Sequence, residues 1–347
     1  MPLEALMRWQ PFRLDALGLV TLIGAEEVND AVGRLTSSRY TTFLPLLGQH
    51  LVAGNKFTTP VPGYTLYNIT DAITTTNISG WFSRWLSAQK IKNSTTVFDW
   101  TVRPVPQQKQ YKDRFTELTG CMVLCLMITL TILMGDWWGL SNSVAIAGST
   151  VVRWFLVQQN IRGLSQQCVK ACYENGAMNS LDIVKVLVTL NNGKMVTVYS
   201  PRGLLMAGFT KRPSPLDPNF YTWARRFGWL FFGLHVVALG QCNLVTQTFT
   251  VVLLVGSTWL VVRGFGANDS ELGDYISVVK LDNIRRDDRR MWAYAELQPT
   301  IEEEETLVTW NLLPRHVNKA WWEDYGRAKD AVASHCSPPN PILETKA

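Results

Sequence analysis

Two blocks of apolar residues dominate the pattern along the chain, and each is longer than the core helix of a soluble domain needs to be. In the first block, residues 118–135 form a run of 18 positions without a charge, LTGCMVLCLMITLTILMG. Because about 20 apolar residues carry a helix across the hydrocarbon core of a bilayer, this run predicts a membrane-spanning helix. Asp136 and the pair Trp137 and Trp138 follow it, and such residues suit the membrane interface.

Residues 138–157 complete the first block, although they are less apolar than the run before them. Ser141, Ala145 and Ser149 recur every four residues, a spacing that lets two membrane helices approach closely. We predict a second span here, with Arg153 extending from near its end to the interface. An amphipathic helix that lies on the membrane surface without crossing is the alternative.

The second apolar block covers residues 223–262 and is interrupted by the polar triplet QCN. A single helix over the whole block would be roughly twice as long as a bilayer needs. We therefore predict two spans, at about 223–240 and 244–262, joined by a tight turn. Together with a first hairpin over 116–157, the pattern predicts an all-α membrane protein with four transmembrane helices arranged as two hairpins.

Three polar regions flank and separate the hairpins. Residues 1–115 are rich in Thr, Asn and interrupting prolines, so we expect a polar, partly irregular N-terminal region. Residues 158–222 form a soluble loop, in which β-branched runs around an Asn-Gly pair predict a small β-hairpin over 182–199. Residues 263–347 form a soluble helical tail, whose last helix starts at an acidic run favoured by the helix dipole and is kinked or split at Pro314.

The distribution of charge predicts which side of the membrane each region occupies. The formal charge of +5 is spread between the apolar blocks, which makes nucleic acid an unlikely partner. Basic residues flank the predicted spans on the sides of the two termini and the middle loop, which the positive-inside rule places in the cytoplasm. We interpret four of them as membrane anchors: Arg153, Arg225, Arg226 and Arg263.

Four glycosylation triplets argue for the opposite orientation, because they are acceptors if their region faces a secretory lumen. Their acceptor residues are Asn68, Asn77, Asn93 and Asn268. Such triplets also arise by chance in sequence that is rich in Asn and Thr. The charge distribution therefore remains the basis of the predicted orientation.

His235 is the only histidine within a predicted span, and ionisable groups inside membranes are costly and often functional. It is the weak candidate for a catalytic acid or base. The structural alternative is a neutral imidazole that is hydrogen-bonded to Gln241, Thr246 or Gln247 and only fixes the second hairpin. No carboxylate lies within either span of this block, so an acid-base pair has no second member.

The sequence contains none of the common phosphate-binding, hydrolase or dinucleotide motifs. Cys168 and Cys172 are one helical turn apart, but the histidines are not spaced to complete a zinc site, and we predict neither metal nor cofactor. The leading interpretation is a non-catalytic scaffold or accessory protein in a membrane, with the lipid bilayer as its surroundings and protein partners on the central loop and tail.

Two other functional classes remain open. The first is an intramembrane cyclase or isomerase that acts on a lipophilic metabolite, with His235 beside a pocket of aromatic side chains, Trp229, Phe231, Phe232 and Trp259. The second is a transporter or channel component lined by the polar residues of the second block, Gln241, Thr246, Gln247, Thr248 and Thr250.

The segments WGLSNSVAIAGSTVVRWFLVQQN and RFGWLFFGLHVVALGQCNLVTQTFTVVLLVGSTWLVV resemble an uncharacterised family of multi-pass membrane proteins of filamentous fungi. The resemblance covers residues 138–262 best. Where that family has an aspartate soon after the QN of the first segment, this chain continues with IRGLSQQ. The resemblance implies a fungal membrane protein and supplies no catalytic residue.

Overall fold

The computed structural model combines a mixed β-sheet with a layer of long helices. It describes residues 25–38, 41–89, 91, 94, 96–106, 111–174, 179–281 and 289–334. The all-α prediction is therefore wrong, because segments from all three predicted soluble regions pair in one seven-stranded sheet.

The sheet has the strand order β3-β2-β5-β6-β4-β9-β8, and all its pairings are antiparallel except that of β4 with β6. A separate two-stranded pairing joins β1 to β7. The strands are β1 (Ser37–Ser38), β2 (Thr65–Asn68), β3 (Ile73–Thr75), β4 (Val97–Val102), β5 (Ile183–Thr189), β6 (Met195–Pro201), β7 (Ala267–Asn268), β8 (Glu271–Leu272) and β9 (Ile276–Leu281).

Eleven α-helices lie within the described residues. They are α1 (Ala25–Gly33), α2 (Gln49–Ala53), α3 (Gly80–Ala88), α4 (Tyr111–Met134), α5 (Trp137–Val169), α6 (Arg202–Leu204), α7 (Pro218–Gln241), α8 (Leu244–Val262), α9 (Arg290–Glu296), α10 (Ile301–Thr309) and α11 (Lys319–Ala333). A 3₁₀ turn covers Lys56–Thr58, and π-helical turns cover Lys170–Glu174 and Leu205–Phe209.

The predicted β-hairpin is present as β5 and β6, but it lies inside the sheet and is not an isolated unit of a loop. Its register pairs Ile183 with Pro201 and Thr189 with Met195. Strand β5 also pairs with β2, which comes from the N-terminal region predicted to be irregular. The three polar regions therefore form one α/β domain, which we call the sheet domain.

Side chains alternate between the two faces of the sheet, as they do in any pleated strand. Val186 and Val188 point to a first core, and Leu187 between them points to a second. The first core holds an aromatic cluster in which the rings of Trp85 and Trp100 lie 4.7 Å apart, centre to centre. Every one of these side chains is at most 1% exposed, so the sheet domain has a conventional apolar interior.

The second face is covered by the C-terminal helices. The acidic run at the start of α10 begins that helix as expected, with a capping box between Thr300 and Glu303. The helical region is also split near Pro314, because α10 ends at Thr309 and α11 begins at Lys319. Tyr294, Leu297, Leu307, Leu313 and Tyr325 of this region pack on the sheet.

The four long helices α4, α5, α7 and α8 form what we call the helical layer. Helix α5 is 33 residues long, about 50 Å at 1.5 Å per residue. It runs past the predicted end at residue 157 into the sheet domain, where Leu164 and Cys168 join the first core. One continuous helix thus links the two parts of the molecule.

Two helices among the described residues are long and apolar enough to cross a membrane, namely Trp137–Glu174 and Leu244–Val262. The prediction of four transmembrane helices is thus corrected to two candidates. Helix α7 is not a candidate, because its polar residues lower its mean hydropathy. Helix α4 is not a candidate either, because its described apolar part, Gly120–Met134, is shorter than a membrane span.

Candidate functional site

Buried polar side chains are concentrated between the helices of the helical layer, whereas large apolar side chains of the same helices face outward. Met122, Val144, Leu230 and Val252 are each at least 47% exposed. The buried polar set, which we call the polar core, comprises Thr131, Asp136, Asn142, Ser143, Ser149, Thr150, Arg153, His235, Thr246, Thr250, Ser257 and Thr258. The interior of the sheet domain is more apolar, with the aromatic cluster in its first core.

Asp136 ties the start of α5 to the start of α8. Its Oδ1 accepts a hydrogen bond from Gly139 N at 2.9 Å, and its Oδ2 accepts from Asn243 N at 3.1 Å and from Thr246 Oγ1 at 2.8 Å. The residue caps α5, where the positive end of the helix dipole favours a carboxylate. This buried acid therefore caps one helix with one carboxylate oxygen and holds the start of the other with the second oxygen.

His235 lies at the centre of the polar core and links three helices. Its Nδ1 is 2.6 Å from Asn142 Oδ1 on α5, and Asn142 Nδ2 donates to Thr250 Oγ1 on α8 at 3.2 Å. The Asn oxygen can only accept, so Nδ1 carries the proton in this arrangement. The partner is on the first apolar block, and not among Gln241, Thr246 and Gln247, which were the predicted partners.

Arg153 is directed into the molecule and not to the interface, since it is only 5% exposed. Its Nη2 donates to the backbone oxygens of Thr42 and Leu44, at 2.6 and 2.8 Å. The anchor role predicted for Arg153 is therefore wrong. Its guanidinium instead satisfies acceptors of a chain segment that is not helical.

That segment, residues 41–48, is here called the buried loop, and it packs among the long helices ahead of α2. Leu47 N donates to Thr258 Oγ1 of α8 at 3.0 Å, and the Leu47 side chain contacts Leu239 and Leu254. The backbone of this loop is not helical and lies among long helices, so its polar groups need hydrogen-bond partners within the protein. Arg153 and Thr258 supply them.

A small cavity lies beside His235, lined also by Gln49, Ser149, Phe232 and Leu254. Its volume of about 10 Å³ gives room for about one water molecule. Of the aromatic residues predicted to shape a substrate pocket, Trp229 and Trp259 are 49% and 58% exposed and do not line this cavity. The geometry thus provides no space for an organic substrate at His235.

The other predicted anchors lie at the end of the helical layer that adjoins the sheet domain. Arg226 stacks over Trp223 at 4.8 Å, and Arg263 stacks over Trp259 at 5.3 Å. Arg225 is half-buried and donates from Nε to Ala53 O at 2.9 Å, so it holds α2. Arg226 and Arg263 are exposed and remain candidates for an interface role.

The predicted glycosylation sites differ in accessibility. Asn68 is 2% exposed and its Nδ2 donates to Asp71 Oδ2 at 2.7 Å, so it cannot carry a glycan in this fold. Asn77 is exposed, and Asn268 is half-buried against Glu271. Asn93 lies outside the described residues.

Cys168 and Cys172 are both buried, in the first core of the sheet domain. Within the described part of the chain, no group of three or more His, Cys, Asp or Glu side chains is placed to hold a metal ion. The pair is thus explained by apolar packing.

Sequence reasoning missed the buried loop and the role of Asp136. The inward direction of Arg153 could have been predicted from the sequence. Asn142, Ser149, Arg153 and Asn160 fall on one polar face of a helix. The structure turns that face inward, and Asn160 Nδ2 donates to Tyr221 OH at 3.0 Å.

Comparison of the chain with protein-family models, with characterised proteins and with solved structures finds no match. The function is therefore inferred from the geometry of the polar core and the helices around it.

Proposed function

We propose that this protein is an integral membrane protein whose helical layer contacts a lipid bilayer, with α5 and α8 as its two candidate membrane helices. Helix α8 is 19 residues long, about 28 Å at 1.5 Å per residue, close to the hydrocarbon thickness of about 30 Å. Its outward face carries apolar side chains that a soluble protein would rarely leave exposed in such number. An apolar face of this kind is compatible with contact to lipid.

Aromatic and basic residues support the same placement. Trp137 and Trp138 mark one end of the layer, at 73% and 50% exposure, and Trp223 and Trp259 mark the other, at 57% and 58%. The Arg226 and Arg263 stacks are at the second end, beside the sheet domain. Basic residues favour the cytoplasmic interface, so the sheet domain is proposed to be cytoplasmic.

We further propose that the protein is a non-catalytic scaffold or accessory protein that presents the sheet domain to protein partners at the membrane. The observation that carries this proposal is α5, which runs from the polar core into the first core of the sheet domain without a break. Such a helix holds the domain in a fixed position relative to the membrane. The polar core supports it, because Asp136, Asn142, His235 and Arg153 make contacts that hold helices and the buried loop together.

Purification of the tagged full chain in mild detergent tests the scaffold function. A partner that remains bound at near-equal stoichiometry, and is absent from an unrelated tagged membrane protein prepared in the same way, is the expected result. Turnover of a lipophilic substrate by the purified chain, lost in His235→Asn at an unchanged protein level, would contradict it and support the intramembrane enzyme.

A further inference from the structure

Arg153 has an unusual environment for a buried cation. Its Nη2 is bonded to two backbone oxygens, while its Nη1 is buried without a hydrogen-bond partner. Among the ion pairs of the described residues, none joins a carboxylate to Arg153. A buried charge without a counter-charge is strongly unfavourable, since carbonyl dipoles compensate it only in part.

A cavity of about 10 Å³ lies beside this guanidinium. Gln49, Ser149 and Arg153 contribute the polar part of its lining, and Val152 and Gly228 belong to the apolar part. The Gln49 side chain also has a buried oxygen without a partner. Since the two ends of an amide are assigned from their contacts, turning this amide would bury its Nε2 donor in place of the oxygen.

A second cation lies close to the cavity. Arg225 binds the backbone oxygen of Ala53, another lining residue, at 2.9 Å. The buried acid of the helical layer, Asp136, is 17 positions earlier on α5, about 25 Å away along the helix. A negative ion in the cavity would therefore meet a hydrogen-bond donor and positive charge, and none of the described residues that line the cavity is a carboxylate.

We infer that this cavity, between Arg153, Gln49 and Ser149, binds one small monatomic anion of the chloride or bromide class. The volume suits a single ion of about the size of water and is too small for sulfate or phosphate. A water molecule would satisfy Nη1 but would leave the charge uncompensated. The anion neutralises Arg153 and so stabilises the contact between α5 and the buried loop, whether or not the scaffold function holds.

Equilibrium dialysis of the wild-type full chain in detergent against radioactive chloride tests the site directly. We expect saturable binding of one chloride per chain, displaced by bromide and not by gluconate, which is too large for the cavity. Absence of saturable binding would overturn the inference and leave a water-filled cavity.

Gln49→Glu sharpens the test, because it places a carboxylate of nearly the same shape beside Arg153. The built-in counter-charge should weaken chloride binding by about tenfold or more. Thermal unfolding of the wild type should shift upward with chloride at constant ionic strength, and that of the variant should not. Gln241→Glu, at an exposed position far from the cavity, is the matched control and should bind chloride as the wild type does.

Chloride binding by Gln49→Glu as tight as that of the wild type would contradict the assigned position. If this variant fails to fold, the dialysis of the wild type still decides whether the anion binds.

Discussion

Two buried arginines show how differently the two parts of the molecule are built. Arg84 in the sheet domain is 4% exposed, and its Nε donates to Asp30 Oδ1 at 2.9 Å. Its Nη1 donates to three backbone oxygens, of Phe57, Thr59 and Gly80. Arg153 in the helical layer is equally buried but has two backbone acceptors and no carboxylate.

The contrast extends to whole interiors. The sheet domain buries mainly aromatic and aliphatic side chains, whereas the helical layer also buries Asn, Thr and His and exposes Val, Leu and Trp. Each arrangement suits a different solvent, because apolar burial drives folding in water and polar contacts between helices stabilise association in lipid. This contrast between the two interiors is what the proposed placement of the helical layer in lipid explains.

The largest expected effect comes from emptying the aromatic cluster. Trp100→Ala should lower the free energy of unfolding by about 3–5 kcal/mol, since it removes a fully buried indole. Trp137→Ala in the helical layer, where the indole is 73% exposed, should cost about 0.5 kcal/mol or less in detergent. Denaturant titration of both variants measures the difference. Equal losses in the free energy of unfolding would contradict the contrast between the two parts of the molecule.

A charge on the outer surface of α8 should impair insertion. Val252 is 65% exposed near the middle of that helix, and Val252→Lys should oppose membrane insertion by about 2.5–3.5 kcal/mol. Ile301→Lys places the same charge at a site that is 77% exposed on the sheet domain, and should insert normally. The fraction of each variant recovered in membranes measures this, and normal recovery of Val252→Lys would argue against lipid contact.

His235→Ala tests whether the polar core is structural. Loss of the imidazole leaves Asn142 Oδ1 buried without a hydrogen-bond donor, which should destabilise the protein by about 1–3 kcal/mol. Leu234→Ala, at the neighbouring position with 39% exposure, should have little effect. Thermal unfolding compares them, and an unchanged midpoint for His235→Ala would show that the hydrogen bond contributes nothing.

The smallest expected effect concerns a partly exposed ion pair in the sheet domain. Arg202 donates from Nε and Nη2 to the two oxygens of Asp71, at 3.0 and 2.7 Å, and these bonds lower the pKa of Asp71 below its ordinary 3.8. A lowered carboxyl pKa adds stability above the unfolded pKa, and that stability is lost as the pH falls through the folded pKa. Asp71→Asn should therefore cost about 1 kcal/mol at neutral pH and less in acid.

The control for that prediction is Asp182→Asn. Asp182 is 56% exposed, and its contact with Arg202 Nη1 is longer and weaker, at 3.4 Å. This substitution should leave both stability and its pH dependence nearly unchanged. If the stability of Asp71→Asn still falls in acid as that of the wild type does, the pH dependence comes from another titratable group.

Sequence pattern located the apolar helices well and the sheet poorly. The predicted runs 223–240 and 244–262 coincide closely with α7 and α8, because consecutive apolar residues are a local signal. The hairpin of β5 and β6 was also local. By contrast, β4 pairs with β6 and β9, which are about 100 and 180 residues away, and no local pattern encodes such pairing.

The end of α5 and the buried loop show the same limit. Residues 158–169 include Gln, Asn and Arg, so their pattern suggested solvent, yet Asn160, Gly163 and Leu164 are buried against the sheet domain and α7. The direction of Arg153 depended on a loop about 110 residues earlier. The sequence analysis singled out Arg153, but its hydrogen-bond partners could be found only in the tertiary structure.

Alkaline carbonate extraction of membranes from cells that express the full chain tests the central claim most directly. If the helical layer lies in the bilayer, the protein remains in the pellet and is released only by detergent, because its exposed apolar surface stays in contact with lipid. Recovery of the folded protein in the carbonate supernatant would contradict the claim, and would mean that the apolar surface is covered by protein instead of lipid.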